Sequence, residues 1–273
     1  MRLLIATGGA KHSELALQMG ALICRRLRRP PTVLTVVKHK EDRPRADQVL
    51  ARARELLGPD LERANTIVRA GHPGEEIVRE AHNGRYDLVV IGEKPKHSLS
   101  ARMLGSRAAY VVEHAPCPVL IAKGQIGPID KVLLCDSGAR SESLLHRFLA
   151  QLPDLADGEV DTTVLHVMSQ MGAGPGIAGE QLQANADELI HAHAPEGQLL
   201  ERDIRLLDRP PIHPHPLVRH GLVVEEILAE AQSGSYDLVV IGAHFPAGWQ
   251  RILLDNIAHQ VIVHADRPVL VLR

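Results

Sequence analysis

The sequence YDLVVIG at residues 86–92 occurs a second time, letter for letter, at residues 236–242. A run of neighbouring residues matches at the same offset of 150 positions: Arg69, Gly71, Glu75, Glu76 and Ile77 recur as Arg219, Gly221, Glu225, Glu226 and Ile227. The match continues downstream, where APCPVL at residues 115–120 corresponds to ADRPVL at residues 265–270. The chain is therefore a tandem repeat whose two halves end alike.

The length agrees with two domains, because 273 residues suit two units of roughly 100–200 residues each. We predict a first domain at residues 1–124 and a second at residues 129–273, joined by a short linker. At the start of the second repeat the offset falls to 128, since Ser13-Glu14 corresponds to Ser141-Glu142. We assign the residues gained there to surface-loop insertions near residues 153–159 and 171–179 and in the histidine-rich region beyond.

Composition excludes several classes of protein. Forty-five per cent of the residues are hydrophobic but only 2% are aromatic, so the core is aliphatic, as in parallel sheets covered by helices. A net charge of −2 provides no strong field for nucleic acid or an anionic membrane, and we expect neither as a partner. Three cysteines without CxxC spacing indicate neither a disulfide framework nor a zinc site. No segment approaches the ~18 apolar residues of a membrane span. We expect a soluble, cytoplasmic protein.

Apolar runs and helical periodicities alternate along each repeat. In the first repeat we predict strands at residues 3–7, 32–37, 66–69, 88–91 and 119–122, with helices between them and Ser13 as the N-cap of the first helix. Such alternation predicts an α/β fold, in which each domain is an open, doubly wound, Rossmann-like sheet of five mainly parallel strands with helices on both faces. Ligands of such sheets bind beyond the carboxyl ends of the strands. The candidate loops are residues 7–12, 37–43, 70–74 and 92–106.

Three features together resemble the universal stress protein family in its tandem, two-domain form. They are the sequence GGAKHSELAL at residues 8–17 after the first strand, the fourth strand that runs into Gly92 with a long loop to Gly105-Ser106, and APCPVL before the last strand. The resemblance implies an ATP-responsive regulator of stress responses that changes its protein associations. It also implies that the fifth strands of the two domains pair with each other, and that the chain forms a homodimer.

Family members that bind ATP carry G-x2-G-x9-G-[ST] after strand four and an aspartate at the end of strand one. Glycines allow main-chain N–H groups to approach phosphates, and the final Gly-Ser lies at a helix N-terminus that attracts anions. The first repeat has Pro95 at the middle glycine and Gly8 at the aspartate position, while its loop is rich in lysine and arginine. We assign the ATP site of the first domain to Thr7, Gly8, Val37, Gly92, Lys94, Gly105, Ser106 and Arg107.

The second repeat retains the aspartate, as Asp136, and the first glycine, as Gly242. Phe245 adds bulk to its loop, and Asp255-Asn256 replaces the final Gly-Ser. A carboxylate near a helix N-terminus caps the amides itself and repels an anion. We therefore expect the second domain to be degenerate and poor in phosphate binding.

Other motifs carry weaker indications. GPGIAG at residues 174–179 has GxGxxG spacing, but its proline and its place after a second strand favour a flexible insertion. Histidine groups raise the alternative of a metal site, namely His191 with His193, and His213 with His215 and His220. They have no acidic or cysteine partner at defined spacing, and residues 213–216 read as an exposed proline-rich loop. We assign no catalytic residue and no metal ligand. An interaction module that has lost nucleotide binding remains the alternative, followed by a slow ATPase or hydrolase, and the protein partner is not identified by the sequence.

Overall fold

The computed structural model describes residues 1–58, 63–93, 105–136, 144–156, 160–168, 184–207, 213–242 and 256–273. The first repeat contains, in order, β1 (Leu3–Ala6), α1 (Lys11–Leu27), β2 (Thr32–Val37), α2 (Arg43–Leu57), β3 (Asn65–Ala70), α3 (Pro73–Gly84), β4 (Leu88–Gly92), α4 (Ser106–His114) and β5 (Val119–Ala122). The second contains β6 (Lys131–Cys135), α5 (Leu144–Gln151), α6 (Pro153–Ala156), β7 (Asp161–Met168), α7 (Ala186–His191), α8 (Pro195–Leu207), β8 (His213–His220), α9 (Val223–Ser233), β9 (Leu238–Gly242), α10 (Asn256–His264) and β10 (Val269–Leu272). Strands and helices alternate in the first repeat as predicted, whereas in the second repeat two consecutive helices connect β6 to β7 and β7 to β8.

The chain folds into two compact units. The first unit comprises Met1–Pro128 together with Ala243–Arg273, and the second comprises Ile129–Gly242. The helix α10 and the strand β10 therefore lie in the first unit, although they belong to the second sequence repeat. Among the described residues, every helix is too short or too polar to cross a membrane.

The first unit is built on a sheet with the strand order β3-β2-β1-β4-β5-β10. Neighbours from β3 to β5 are parallel, because each crossover carries a helix. The runs LLIA of β1 and VLIA of β5 are buried along their whole length, as strands covered on both faces require. The strand order reverses between β1 and β4, and a ligand crevice is expected outside the carboxyl ends of strands at such a switch point.

The fifth strands pair with each other, as the resemblance predicted. β10 runs antiparallel to β5, with Leu270 opposite Leu120, Val269 opposite Ile121 and Val271 opposite Val119. Leu120 and Leu270 are equivalent positions of the repeat, so the pairing is self-complementary, like that of a twofold dimer. It satisfies backbone groups that an exposed edge would leave unpaired.

The second unit has the strand order β9-β6-β7-β8, and all of its pairs are parallel. The number of strands corrects the prediction of five per sheet, because the first unit has six strands and the second has four. The reason is the pairing of β10 with β5, which places the last strand of the second repeat in the first unit. The predicted fold class, a doubly wound and mainly parallel sheet, is confirmed.

The strand β8 corrects a second expectation. Residues 213–216 read as an exposed loop because Pro214 and Pro216 lack the N–H group that a central strand needs. The structure places them in β8, paired in parallel with β7. Within the second unit β8 is an edge strand, where alternate prolines are tolerated and discourage pairing with another chain.

The repeated tyrosine of YDLVVIG takes part in the same polar network in both halves. Tyr86 donates its hydroxyl hydrogen bond to the buried carboxylate of Glu80 at 3.2 Å, and Arg69 Nε donates to the same carboxylate at 2.9 Å. In the second repeat Tyr236 and Arg219 donate to Glu230 at 2.9 and 2.8 Å. Burial raises the pKa of Tyr236 to about 12, so this hydroxyl stays a donor over the physiological range of pH. The network joins a strand, a helix and the start of the next strand, which explains why the residues recur.

Candidate functional site

The carboxyl edge of the first sheet collects several residues that the sequence analysis assigned to the ATP site. Thr7 and Gly8 follow β1, which lies between β2 and β4. Ile5 is opposite Val90, and the same register continued by two residues places Thr7 beside Gly92. Val37 ends β2, where its buried backbone carbonyl accepts a hydrogen bond from Gly71 N–H at 2.9 Å. The topology therefore brings Thr7, Gly8, Val37 and Gly92 to one edge.

Ser13 organises the turn after β1. It was predicted to be the N-cap of the first helix, but α1 begins at Lys11 and its N-cap is Ala10. The Ser13 hydroxyl lies inside the turn, where it accepts hydrogen bonds from the N–H groups of Ala10 at 3.0 Å and Gly8 at 3.3 Å. It is also 3.3 Å from Thr7 Oγ1. The side chain thus holds the backbone of the turn from within, a role that helical spacing alone does not reveal.

Gly92 is required for a reason that differs from the one inferred from the loop motif. A Cβ at this position would lie 1.8 Å from the backbone carbonyl oxygen of His12. The missing side chain therefore allows α1 to pack against the end of β4. In the second repeat, a Cβ at Gly242 would instead meet side-chain atoms, Arg147 Nη2 and Leu144 Cδ1, both at 2.9 Å.

The N-terminus of α4 has the features of an anion-binding helix end. Gly105 is its N-cap, and among the described residues no side chain caps the first amides. A Cβ at Gly105 would meet no atom of the described residues within 4 Å. The first turn carries the exposed Arg107 and no carboxylate. Unpaired N–H groups at the positive end of a helix dipole, beside an arginine, favour an anion.

Connectivity places this helix end at the same edge as the other candidate residues. α4 connects the parallel strands β4 and β5, so it begins at the edge where β4 ends. Gly105, the backbone of Ser106, and Arg107 therefore join Thr7, Gly8, Val37 and Gly92 there. Lys94, the remaining predicted residue, lies outside the described residues.

The second repeat uses its aspartate internally. Asp136 follows β6 and is buried, and its carboxylate accepts a hydrogen bond from the N–H of Leu144, the first residue of α5, at 2.8 Å. The backbone carbonyl of Asp136 is 3.2 Å from His166 Nδ1. One oxygen of the carboxylate that the family resemblance assigns to the nucleoside thus holds a helix end. Phe245 and Asp255 lie outside the described residues.

Arg147 was not among the functional residues predicted from the sequence. This side chain is buried on α5, with its guanidinium against Gly242 at the end of β9. At the offset of 128 its counterpart is Met19, which is also buried. A charged residue at an apolar position of the repeat is a signal that could have identified it.

Comparison with known proteins decides the family. A model of the universal stress protein family matches residues 1–123 and 128–273. The chain belongs to this family. The match covers both repeats, so the tandem organisation that the sequence predicted is confirmed.

Similar proteins carry the same family description. A universal stress protein of Thermus aquaticus, from the QAH/OAS sulfhydrylase 3' region, is 35% identical over 79 residues, which are 29% of this chain and 56% of the relative. The universal stress protein Slr1230 of Synechocystis is 24% identical over 219 residues, 77% of this chain and 69% of the relative. The crystal structure of a universal stress protein from Archaeoglobus fulgidus superposes with a TM-score of 0.70 at 18% identity, covering 100% of this chain and 98% of that one. At this identity the superposition shows the fold.

The three thiols of this family member lie in buried or partly buried positions. Cys24, Cys117 and Cys135 are free. Burial raises the pKa of the Cys24 and Cys117 thiols to about 12, so both are protonated at neutral pH and are poor nucleophiles. His215 Nε2 lies 3.5 Å from Asp161 Oδ1. Among the described residues, His, Cys, Asp and Glu form no group of three or more that could hold a metal ion.

Proposed function

We propose that this universal stress protein is a cytoplasmic regulator that binds ATP at the carboxyl edge of its first repeat. The observation that carries the proposal is the N-terminus of α4, where no side chain of the described residues caps the amides and a Cβ at Gly105 would meet none of their atoms within 4 Å. This helix begins at the edge where Thr7 and Gly8 follow β1 and Gly92 ends β4. A helix N-terminus of this kind binds phosphate through backbone amides, as the glycine loop of the family does.

The chemistry of this edge suits binding rather than catalysis. The groups that would hold the phosphates are amides and cations, which neutralise charge but do not transfer a proton. We therefore propose that the output is a change in protein association, with ATP hydrolysis weak at most. The second repeat would be degenerate, because its Asp136 already accepts the N–H of Leu144. A homodimer and a further protein partner complete the proposal.

Three glycines in open space allow a matched test of this site. A Cβ at Gly8, Gly105 or Gly127 would meet no atom of the described residues within 4 Å, and all three have a negative or extended φ that other residues adopt. Aspartate at each position adds the same charge without a described clash. Gly105→Asp places that charge at the phosphate end, Gly8→Asp places it at the nucleoside end, and Gly127→Asp places it in the linker.

We expect ATP affinity, measured by isothermal titration calorimetry, to fall at least about tenfold in Gly105→Asp, because the new carboxylate caps the amides and repels phosphate. Gly8→Asp restores the acid that family members use for the nucleoside and should raise affinity about threefold to tenfold, as one good charge-assisted hydrogen bond would. Gly127→Asp should bind like the wild type. Equal affinities across the series, or no binding by the wild type, would contradict the proposal and favour an interaction module.

A further inference from the structure

Lys123 connects the start of the candidate ATP loop to a helix of the second repeat. It follows β5 and is buried. Its Nζ donates to Glu93 Oε2 at 3.2 Å and also to the backbone carbonyl of Ile262 in α10. The side chains of Lys123 and Glu93 are each only 10% exposed. All of these residues belong to the first unit.

The two repeats make this contact differently. The position equivalent to Lys123 is Arg273, which follows β10 and donates to the backbone carbonyl of Glu113 in α4 at 2.9 Å. In each repeat, the residue after the fifth strand is thus a cation that donates a hydrogen bond to a backbone carbonyl in the last helix of the other repeat. The position equivalent to Glu93 is Ala243, which has no carboxylate. The salt bridge between Glu93 and Lys123 therefore occurs only in the first repeat, which also contains the candidate anion-binding helix end at Gly105.

The position of Glu93 gives this bridge its significance. Glu93 directly follows Gly92 at the end of β4, so its backbone lies next to the edge where the phosphates of a nucleotide would be held. Lys123 neutralises the negative charge of Glu93 and at the same time donates a hydrogen bond to α10. Removing one partner of such a buried ion pair is costly, because the other partner is left as an uncompensated charge.

We propose that Lys123 is a positioning residue that couples ATP binding in the first repeat to the attachment of α10. Binding of ATP beyond the end of β4 fixes Glu93, which in turn holds Lys123 against the Ile262 carbonyl. This inference rests on the proposed ATP site and gives it an output, a change in how tightly the C-terminal segment of the second repeat is held. Coupling between two sites is reciprocal, so loss of the bridge must also weaken ATP binding.

The test uses the full chain, with ATP affinity from calorimetry and hydrogen exchange of the α10 amides with and without ATP. In the wild type, ATP should slow exchange near Ile262 about fivefold, within the usual range of allosteric coupling. Lys123→Met should lower ATP affinity about fivefold to tenfold, because the negative charge of Glu93 near the phosphate site then lacks its counter-charge, and should abolish the exchange response. Arg273→Met is the matched control and should retain both the affinity and the ATP response.

A double variant distinguishes the effect of the uncompensated Glu93 charge from the effect of the lost contact with α10. It also serves as a second test if Lys123→Met misfolds. Glu93→Gln with Lys123→Met leaves no uncompensated buried charge, so affinity should return to within about twofold of the wild type while the α10 response stays absent. If the wild type binds ATP but Lys123→Met keeps both affinity and response, or the double variant keeps the response, the coupling is wrong and the ATP site stands. If the wild type binds no ATP, both the proposed function and this inference fall.

Discussion

Gly92→Ala is expected to lower the free energy of unfolding by about 3 kcal/mol or more, the upper end of what overpacking costs. The added Cβ would lie 1.8 Å from the His12 carbonyl oxygen and 2.6 Å from the His12 carbonyl carbon. Both are backbone atoms, so no rotamer change relieves the clash. The whole N-terminal turn of α1 must move away from β4.

Gly242→Ala is the matched control, because it makes the same change at the equivalent position. There the nearest atoms are the ends of two side chains, Arg147 and Leu144, both at 2.9 Å. These can rotate, so we expect a cost of only about 1 kcal/mol. Urea denaturation followed by circular dichroism measures both. Equal costs for the two variants would contradict the close approach of α1 at Gly92.

Glu80→Ala is expected to destabilise the protein by about 3–5 kcal/mol, the range for removing one partner of a buried ion pair. The Glu80 carboxylate accepts hydrogen bonds from Arg69 and from the hydroxyl of Tyr86. Without it, both donors lose their acceptor in a largely buried setting. The loss should appear in the midpoint of thermal or urea unfolding.

Two further variants show whether this network is a repeated structural unit. Glu230→Ala removes the equivalent carboxylate, which Arg219 and Tyr236 contact in the same way, and should cost a similar amount. Tyr86→Phe removes one neutral donor and should cost only about 1 kcal/mol. A Glu80→Ala loss no larger than that of Tyr86→Phe would show that the charge contributes little.

The sequence predicted the strands and helices well where local chemistry decides them. The bounds of β2 and β5 agree with the prediction, since each is a continuous apolar run with clear breakers at its ends. Fold class followed from the alternation of such runs. The strand β8 was missed because prolines argue against a strand unless it lies at an edge, and edge position depends on tertiary structure.

The site was predictable in part, for a different reason. Thr7, Gly8, Val37 and Gly92 could be assigned to one edge because parallel strands end together. The reason for Gly92 could not be predicted, because it depends on the approach of His12 from another element. Contacts such as that between Lys123 and Ile262, 139 positions apart, leave no local pattern.

An NMR titration of the full chain with ATP tests the central claim, that the first repeat holds the nucleotide and the second does not. The account predicts that the backbone amides of Gly8 and of residues 105–107 shift on saturation, whereas those of Asp136 and Gly242 stay unchanged. Shifts centred on Asp136 and Gly242 would place the nucleotide in the second repeat and contradict the claim. The absence of any shift at millimolar ATP would contradict ATP binding by this protein.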